Sequence, residues 1–368
     1  MDSALVLSAT DPYAVRHGGN LRTCAIAEIL DSVATSVEIL FPGRTLGTVE
    51  LQGVHGVLGR IPSLVRAVKR HYIPMPTAAG ARNSALRREV LARPADLVVI
   101  CALYHAQYAR RSRARLWLDY MDVGSEVGAR EAVQRHGIAS LTAKLQSRQL
   151  KWSERRVSAR AGLVTAAGWA DHLCLRERGI NAHWLPTPLP DNDFRIVRSS
   201  DPRTRTTAGF LASFDYWPNQ DAYRILCEEW LPRLQRNGYE VVVAGRGSEA
   251  LVTRPSGIQI MGTVDDVDEF YQRVAFTLAP IRKGGGMKVK VLESLARGIP
   301  VVGTAFSFEG FPDSMLKLVR VCAEDGSDLD SILIEPMPLV DPKSAELRNY
   351  RMSSARQRVL DLLDEIRA

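Results

Sequence analysis

No stretch of this chain is long and apolar enough to cross a bilayer, which takes about 20 consecutive apolar residues. The first ten residues, MDSALVLSAT, also lack the pattern of a secretory signal, because an acidic residue and no basic residue precede a very short apolar run. We therefore expect a cytoplasmic protein that does not span a membrane.

Cysteine is scarce, and the few cysteines are scattered. The five thiols are odd in number, and no two of them have the spacing of a redox or metal motif. The seven histidines form no tight cluster either, so we predict neither a protein-built metal site nor a bound cofactor. We interpret the cysteines as small buried hydrophobes in a reducing compartment; they are Cys24, Cys101, Cys174, Cys227 and Cys322.

The basic and acidic residues are unevenly divided along the chain. Residues 1–190 hold 25 Lys and Arg against 15 Asp and Glu, whereas the rest of the chain holds 23 against 26. A basic first half suggests an anionic partner such as a membrane surface, a lipid phosphate or an acidic polymer, although an arginine-rich surface alone gives the same composition. Nucleic acid is not expected as a partner, because the basic residues are not interleaved with aromatic residues in a binding motif.

The order of apolar and helical segments predicts two α/β domains. With 368 residues, the chain exceeds the size at which a single core usually stops growing. Residues 4–9 and 37–41 are strand-like and flank a helical pattern that begins at Asn20, its candidate N-cap, which is the order of a right-handed parallel crossover. The loop that contains Gly18 and Gly19 should then lie at the carboxyl edge of a doubly wound sheet, where such folds bind ligands.

The rest of the first half continues the pattern less regularly. A basic stretch lies around 65–72, and prolines precede and follow it. It is either an amphipathic segment that faces a membrane or acceptor, or an ordinary surface helix. Further strands are predicted at 96–103, 115–121, 163–167 and 182–185, with a long arginine-rich helix at 130–160.

A segment rich in Pro, Asp, Ser and Thr marks a linker between the two series of strands and helices. We predict an N-terminal Rossmann-like domain at 1–188, the linker at 189–206 and a C-terminal Rossmann-like domain at 207–343. A charged helix at 344–368 should cross back to the first domain, and the two doubly wound domains should face a cleft. Within the second domain, strands are predicted at 208–211, 239–244 and 258–261 and helices at 219–236 and 267–274.

The most informative stretch is AFTLAPIRKGGGMKVKVLESLARGIPVV, at residues 275–302. A β-favouring run ends at three glycines, a helix is predicted over 287–297, and a strand follows. This unit presents backbone N–H groups and a helix N-terminus to an anion. Lys288 and Lys290 stand in the first turn, where the helix dipole disfavours cations, so a bound phosphate would explain them. Glu293 follows on a neighbouring part of the helix surface.

A second glycine motif competes with this interpretation. The sequence GRGSEA follows the strand EVVVA and fits the G-x-G-x-x-A pattern of dinucleotide sites, which suggests an NAD-dependent oxidoreductase. However, Pro255 and Gly257 leave room for only a turn or two of the helix that such a site requires. The motif also follows the second strand of its domain rather than the first, so we disfavour the oxidoreductase.

Four successive segments carry a family resemblance: GFLASFDYWPNQDA, EVVVAGRGSE, GIQIMGTVDDVDEFY and APIRKGGGMKVKVLESLARGIPVVGT. Together they resemble the C-terminal domain of GT-B glycosyltransferases, specifically the retaining family four, also called glycosyl transferases group 1. The resemblance implies a GT-B fold of two Rossmann-like domains. It also implies a sugar nucleotide held mainly by the second domain, a metal-independent reaction and a C-terminal helix that crosses back.

The same resemblance assigns roles to individual residues. Glu293 matches the family's second acid and would hold the two ribose hydroxyls. The diphosphate would be bound by Arg282 together with Lys288 or Lys290, with help from the backbone of Gly284, Gly285 and Gly286. Gly18 and Gly19 match the family's two-glycine loop, which would contact the donor.

Two departures accompany these assignments. Gly285 stands where the family has its first acid, as in a glycine-rich subgroup that lacks this acid. FDYWPNQDA replaces a Lys-Gly pair that many members carry. Asp122, at the end of a predicted strand where many members have a histidine, would orient the acceptor hydroxyl or support positive charge on the sugar ring.

We therefore predict a glycosyltransferase that moves a sugar from a nucleotide-diphosphate donor to a hydroxyl acceptor, with retention and without a metal. The acceptor would be a glycan, a lipid-linked sugar or a small molecule. A sugar-nucleotide epimerase of the same fold and a non-catalytic sugar-nucleotide-binding protein are the alternatives. The protein would be cytoplasmic, with peripheral contact to the inner, anionic membrane face as a further option.

Overall fold

The computed structural model describes residues 1–13, 18–42, 84–109, 113–197 and 206–366. The basic stretch around 65–72 lies outside these residues. Contacts group the chain into two units: unit 1 comprises Met1–Thr187 and Ala355–Ala368, and unit 2 comprises Pro188–Ser354.

Unit 1 is built on a parallel sheet of six strands in the order β2-β1-β3-β4-β5-β6. Because helices cover parallel sheets, a central strand can be a continuous apolar run; every residue of β3, Leu-Val-Val-Ile, is buried. The strands are β1 Ser3–Leu7, β2 Ser36–Leu40, β3 Leu97–Ile100, β4 Arg115–Tyr120, β5 Leu163–Ala166 and β6 Ala182–Trp184. The helices are α1 Gly18–Asp31, α2 Ser84–Ala92, α3 Ala106–Ala109, α4 Gly124–Gln134, α5 Gly137–Ser158 and α6 Trp169–Glu177, with a 3-10 turn at Leu103–His105.

Unit 2 has a second six-stranded parallel sheet, in the order β12-β11-β10-β7-β8-β9. The strands are β7 Thr207–Leu211, β8 Glu240–Ala244, β9 Ile258–Gly262, β10 Phe276–Ala279, β11 Val301–Thr304 and β12 Val319–Cys322. The α-helices are α7 Trp217–Ile225, α8 Leu231–Arg236, α9 Val267–Tyr271, α10 Val289–Ala296, α11 Ala305–Phe308 and α12 Leu329–Ile334. The 3-10 turns are Asp191–Asp193, Ser248–Ala250, Asp313–Leu318 and Ala345–Tyr350; the last helix, α13 Met352–Glu365, runs from unit 2 into unit 1.

These two sheets confirm the predicted α/β class with two doubly wound halves. No helix among the described residues combines the length and the apolar character that a membrane span needs.

Asn20 does not cap the first helix, contrary to the prediction. Helix α1 begins two residues earlier, at Gly18, and Asn20 is buried within its first turn. The amide of Asn20 donates to the carbonyl oxygen of Asp11 at 3.1 Å, and its side-chain oxygen accepts from the Thr10 hydroxyl at 3.1 Å. Asn20 therefore ties the start of α1 to the loop that follows β1.

Two predicted long helices are interrupted. The segment at 130–160 is split into α4 and α5 around Arg135 and His136, whose backbones are extended. The segment at 219–236 contains a π-helical turn, Leu226–Trp230. Pro232 has no N–H to donate, and just before it the N–H of Leu231 bonds to the carbonyl of Leu226, five residues back. Proline thus shifts the hydrogen-bond ladder without ending the helix.

A buried ion pair holds α1 against the sheet of unit 1. The Arg22 guanidinium donates to both carboxylate oxygens of Asp119, at 2.7 and 2.6 Å, and to the carbonyl oxygen of Leu185 at 2.7 Å. Both side chains are almost completely buried. The hydroxyl of Thr165 also donates to Asp119 and accepts from the Trp117 indole, so each part of the pair is hydrogen-bonded.

We expect Asp119→Ala to lower the free energy of unfolding by about 3–5 kcal/mol, because it leaves the Arg22 charge buried without its partner. Glu38→Ala is the matched control: it breaks an exposed ion pair with Arg93 and should cost no more than about 1 kcal/mol. Chemical denaturation measures both values. Equal losses in the two variants would contradict the importance of the buried pair.

Candidate active site

The crevice of unit 2 lies where the strand order reverses. The chain passes from β7 to β8 and β9 on one side and returns to β10, β11 and β12 on the other. Ligands of open α/β sheets bind beyond the carboxyl ends of the strands at such a switch point. Two loops meet there: residues 212–216 after β7, and residues 280–288 after β10, which contain the three glycines.

The glycines of the second loop allow its backbone to pass close to the first loop. Gly284 has a φ of 109°, which side chains rarely adopt, and a Cβ added to it would stand 3.3 Å from the hydroxyl of Tyr216. Gly286 also has a positive φ, of 62°. A side chain at Gly284 would strain the backbone and press on the hydroxyl of Tyr216.

Helix α10 is anchored on its buried face. It begins at Val289 rather than at 287 as predicted, because the Lys288 backbone is not helical and stands at the N-cap position. The hydroxyls of Ser294 and Thr277 lie 2.8 Å apart, and Ser294 also donates to the carbonyl of Ile299. These contacts hold α10 between β10 and the strand that follows it.

Lys290 lies deepest among the cations of this site. Its ammonium group donates to the side-chain oxygen of Asn219 at 2.8 Å and lies 5.2 Å from the centre of the Phe210 ring. Part of the side chain keeps contact with solvent, but burial of the ammonium lowers the pKa of Lys290 to about 7, although the nearby Glu293 opposes this. Near neutral pH, Lys290 is thus poised between its charged and neutral forms.

The other cations are held by nearby oxygens. Arg282 and Lys283 both pair with Asp221, at 3.2 and 3.3 Å. This pairing lowers the pKa of the Asp221 carboxyl despite the opposing effect of its burial. The Lys288 ammonium donates to the carbonyl oxygens of Gly285 and Gly286, at 3.2 and 2.9 Å. The loop at 280–288 and the first turn of α10 therefore hold four basic side chains, and two of these share the Asp221 carboxylate.

Glu293 is on the same helix as Lys290 and is largely buried, with 7% of its surface exposed. The two residues are three positions apart and therefore neighbours on the helix surface. Their mutual attraction raises the pKa of Lys290 against the effect of burial. An acidic and a basic side chain are therefore neighbours on the surface of α10 and attract each other.

Three polar residues of this site were not predicted. Asn219 and Asp221 belong to FDYWPNQDA, the segment that replaces the Lys-Gly pair of the family pattern. Arg246 follows β8; it pairs with Asp215 at 2.9 Å and donates to the hydroxyl of Ser213 at 3.1 Å. The signal available in the sequence was the polar cluster directly after the first strand of the domain, where a switch-point loop is expected.

The competing motif GRGSEA has a structural explanation. Only a three-residue 3-10 turn follows it, at Ser248–Ala250. Gly245 is required because a Cβ there would stand 2.1 Å from the carbonyl oxygen of Ala212. The loop packs on the one after β7, where the N–H of Phe214 bonds to the carbonyl of Arg246 at 2.8 Å. The motif therefore serves loop packing rather than the helix of a dinucleotide site.

Gly18, Gly19 and Asp122 belong to unit 1, whereas the other seven predicted site residues belong to unit 2. Gly18 and Gly19 form the start of α1, and the carbonyl of Gly19 accepts from the hydroxyl of Thr23 at 3.1 Å. Asp122 is exposed and follows β4 by two residues. All three lie at the carboxyl edge of the unit 1 sheet.

The segment after Asp122 is firmly held. The N–H of Val123 donates to Asp171 at 3.1 Å. The N–H and hydroxyl of Ser125 donate to the buried Glu154 at 2.9 and 2.6 Å, and Glu154 also pairs with Arg178 at 2.8 Å. These contacts orient the backbone on which Asp122 is carried.

His105 is buried near the same edge, after β3. Burial lowers the pKa of its imidazole to about 4. The ring packs against Tyr104 and Tyr108, with centroids 4.6 and 5.6 Å away. His105 is therefore neutral at physiological pH and part of the packing of unit 1. Within the described residues, no group of three or more His, Cys, Asp or Glu side chains could hold a metal ion.

Comparison with known proteins gives one family and several structures. Residues 205–329 match the model of the family described as Glycosyl transferases group 1. None of the curated proteins matches the sequence significantly.

The similar structures span the whole chain at low identity. Sucrose-phosphate synthase from Thermosynechococcus elongatus is 11% identical with a TM-score of 0.69, covering 100% of this chain and 99% of its own. HepE from Anabaena, solved with UDP and glucose, is 12% identical with a TM-score of 0.60, covering 99% of this chain and 100% of its own. A glycosyltransferase from Rickettsia africae is 12% identical with a TM-score of 0.58, covering 99% and 98%.

The two switch-point sheets and the structural matches agree on the GT-B fold, and the family match falls on the unit that contains the glycine loop. The chain carries a Glycosyl transferases group 1 domain over residues 205–329 and is a glycosyltransferase.

Proposed function

We propose that this enzyme transfers a sugar from a nucleoside-diphosphate donor to a hydroxyl acceptor, with retention of the anomeric configuration and without a metal. The observation that carries the proposal is the neighbouring Lys290 and Glu293 on α10, beside a glycine loop at the switch point of unit 2. The transferase family match favours this function over the epimerase and the non-catalytic binding protein. HepE was solved with UDP-glucose, so UDP-sugars are the first donors to test.

The cations of the loop would take the charge of the diphosphate. Arg282, Lys288 and Lys290 are within one short segment, and the backbone of Gly284, Gly285 and Gly286 would lie closest to the phosphates. Phosphate oxygens would replace the Asp221 carboxylate and the loop carbonyls as partners of these cations. Fixed positive charge at the leaving diphosphate stabilises the transition state of transfer.

The unit 1 residues would act on the sugar and the acceptor. The backbone at Gly18 and Gly19 would contact the donor, and Asp122 would orient the acceptor hydroxyl or support positive charge on the sugar ring. The acceptor would be a glycan, a lipid-linked sugar or a small molecule, and the enzyme would work in the cytoplasm, with peripheral contact to an anionic membrane.

Glu293 would hold the ribose hydroxyls, which a comparison of nucleotides can test. We expect Glu293→Gln to weaken binding of the parent nucleotide by about 10–100-fold, because a hydrogen bond to a charged group contributes about 1.5–3 kcal/mol. Binding of the 2′,3′-dideoxy nucleotide should already be weak and should change little in the variant. Titration calorimetry gives the four affinities. Equal losses for both nucleotides would place Glu293 away from the ribose.

The protonation of Lys290 should make donor binding depend on pH. The free enzyme loses this proton above about pH 7, and a bound diphosphate restores it, so each donor bound takes up one proton. We expect the affinity for a nucleotide-sugar to fall about tenfold per pH unit between about pH 7.5 and 9. A nucleotide-sugar is the correct probe because its esterified phosphates do not titrate there.

Lys290→Arg is the matched control for the pH dependence. Arginine stays charged throughout this range, so its affinity should be independent of pH. A wild-type affinity that does not change from pH 7.5 to 9 would contradict the proposal that Lys290 binds the diphosphate.

The overall function is tested by following the reaction with NMR. The wild-type enzyme should release free nucleoside diphosphate from its donor, and the first-formed product should keep the anomeric configuration of the donor sugar. Lys290→Ala and Glu293→Ala should each lose most of the hydrolysis and transfer. An inverted first product would refute retention, and wild-type rates in both variants would refute the site.

A further inference from the structure

Helix α5 presents an apolar stripe to solvent. Ile138, Leu141, Leu145 and Trp152 are 82, 59, 51 and 44% exposed. Their spacing of three, four and seven residues puts them within an arc of about 60° on one face of the helix. The opposite face is buried in unit 1 through Ala143, Ser153, Glu154, Val157 and Ser158. The stripe is therefore not part of the core of its own unit.

A row of cations runs beside the stripe. Lys144, Arg148, Lys151 and Arg155 are exposed and follow one another at intervals of four, three and four residues, the spacing of a single helical row. Glu154 is the only acidic residue in the helix, and it is buried in its contacts with Ser125 and Arg178. The exposed face of α5 thus carries positive charge without negative charge.

We propose that α5 docks unit 1 on an anionic lipid surface, with the apolar stripe in the headgroup region and the basic row among the lipid phosphates. An apolar stripe beside a face rich in Lys and Arg is the pattern of helices that lie in the plane of a membrane interface. Trp152 has the amphipathic ring that is favoured at this depth. The proposal rests on the membrane contact named in the proposed function and assigns that contact to α5; it does not depend on the identity of the donor or acceptor.

The charge of the surface favours lipid over a second copy of the chain. Two α5 helices packed through their stripes would leave both basic rows without an acidic partner, because neither helix has an acidic residue on its exposed face. An acidic polymer would satisfy the basic row but would leave the apolar stripe in water. An anionic membrane matches both features.

The test compares the full-length protein on vesicles of phosphatidylcholine with about 30 mol% phosphatidylglycerol and on phosphatidylcholine alone. The wild type should cosediment with the anionic vesicles only. The triple variant Lys144→Glu, Arg148→Glu and Lys151→Glu should lower the partition coefficient at least about 50-fold, since each basic residue near such a surface contributes roughly a fivefold factor.

Two further variants separate a lipid surface from other partners. Arg88→Glu, Arg273→Glu and Lys343→Glu make the same change in net charge at exposed positions elsewhere and should lower partitioning by less than about fivefold. Leu141→Ser with Leu145→Ser keeps the charge and should lower the partition coefficient at least about tenfold, because less apolar area enters the interface.

Thermal unfolding checks that all variants are folded. In the wild type, Trp152 fluorescence should shift to the blue on binding, and Trp152→Phe should remove the shift.

Four outcomes would overturn the proposal. The first is equal binding of the wild type to neutral and anionic vesicles, and the second is an equal loss of binding in the two charge-reversal variants. The third is unchanged binding of the serine variant, which would indicate an acidic polymer as the partner. The fourth is a wild-type dimer that does not bind vesicles and that the serine substitutions convert to a monomer. None of these outcomes affects the proposed transfer reaction, which is measured without lipid.

Discussion

Lys290→Met should strongly weaken donor binding and at the same time stabilise the fold. Loss of the deepest cation should weaken nucleotide-sugar affinity at pH 6.5 by about 30- to 5,000-fold, since truncating one partner of a buried charge pair costs about 2–5 kcal/mol. Methionine fills much the same volume beside Phe210 without the cost of burying an ammonium group. The free energy of unfolding should therefore rise, by about 1 kcal/mol because part of the side chain is solvated.

The stabilisation should depend on pH in a defined direction. In the unfolded chain Lys290 has a pKa near 10.5, and in the folded protein near 7, so between these values the unfolded state binds more protons. The burial cost is therefore fully present below pH 7 and is relieved as the pH rises toward 10.5. The gain from Lys290→Met should be largest at pH 6.5 and should shrink by pH 9.5.

Calorimetric titration and chemical denaturation measure the two effects. Lys343→Met is the matched control, because it removes an exposed lysine and should change neither quantity appreciably. A Lys290→Met variant that is destabilised, or that still binds the donor as the wild type does, would contradict the role given to Lys290.

Asp122→Asn should lower kcat by about 10²–10⁴-fold, the usual contribution of a positioned acid or base. Binding of the nucleoside diphosphate alone should stay within about twofold, because its proposed contacts are in unit 2. This division between kcat and nucleotide affinity separates a role in transfer from a role in donor binding.

Asp31→Asn provides the control for Asp122. Asp31 is another exposed aspartate of unit 1, at the end of α1 and outside the proposed site. It should retain the wild-type kcat. If Asp122→Asn also retains it, Asp122 has no part in the reaction.

The glycine loop could be anticipated from local sequence, but its partners could not. A buried strand, three glycines and an amphipathic helix are neighbours in the chain, so local propensity was enough to find β10 and α10. The partner of Lys290 is Asn219, 71 residues away, and the partner of Arg282 is Asp221, 61 residues away. Such pairings depend on the strand order, which brings β7 beside β10.

The misplaced start of α10 and the unpredicted strand β12 have similar physical causes. Met287 and Lys288 are good helix formers, yet the backbone of Lys288 leaves the helix to follow the glycine loop. The strand β12, Val-Arg-Val-Cys, is short and mixes charged with apolar residues, so its pattern did not predict it; pairing with β11 stabilises it. Tertiary contacts outweighed local propensity at both positions.

The central claim is that the start of α10 binds a nucleoside-diphosphate sugar. A thermal-shift titration with UDP-, GDP- and dTDP-sugars tests it most directly, because a ligand of the native state raises the unfolding temperature by mass action. We predict a saturable rise for at least one donor with the wild type and with Lys343→Met, and little or no rise at the same donor concentrations with Lys290→Met. No rise with any donor, or an equal rise in all three proteins, would contradict it.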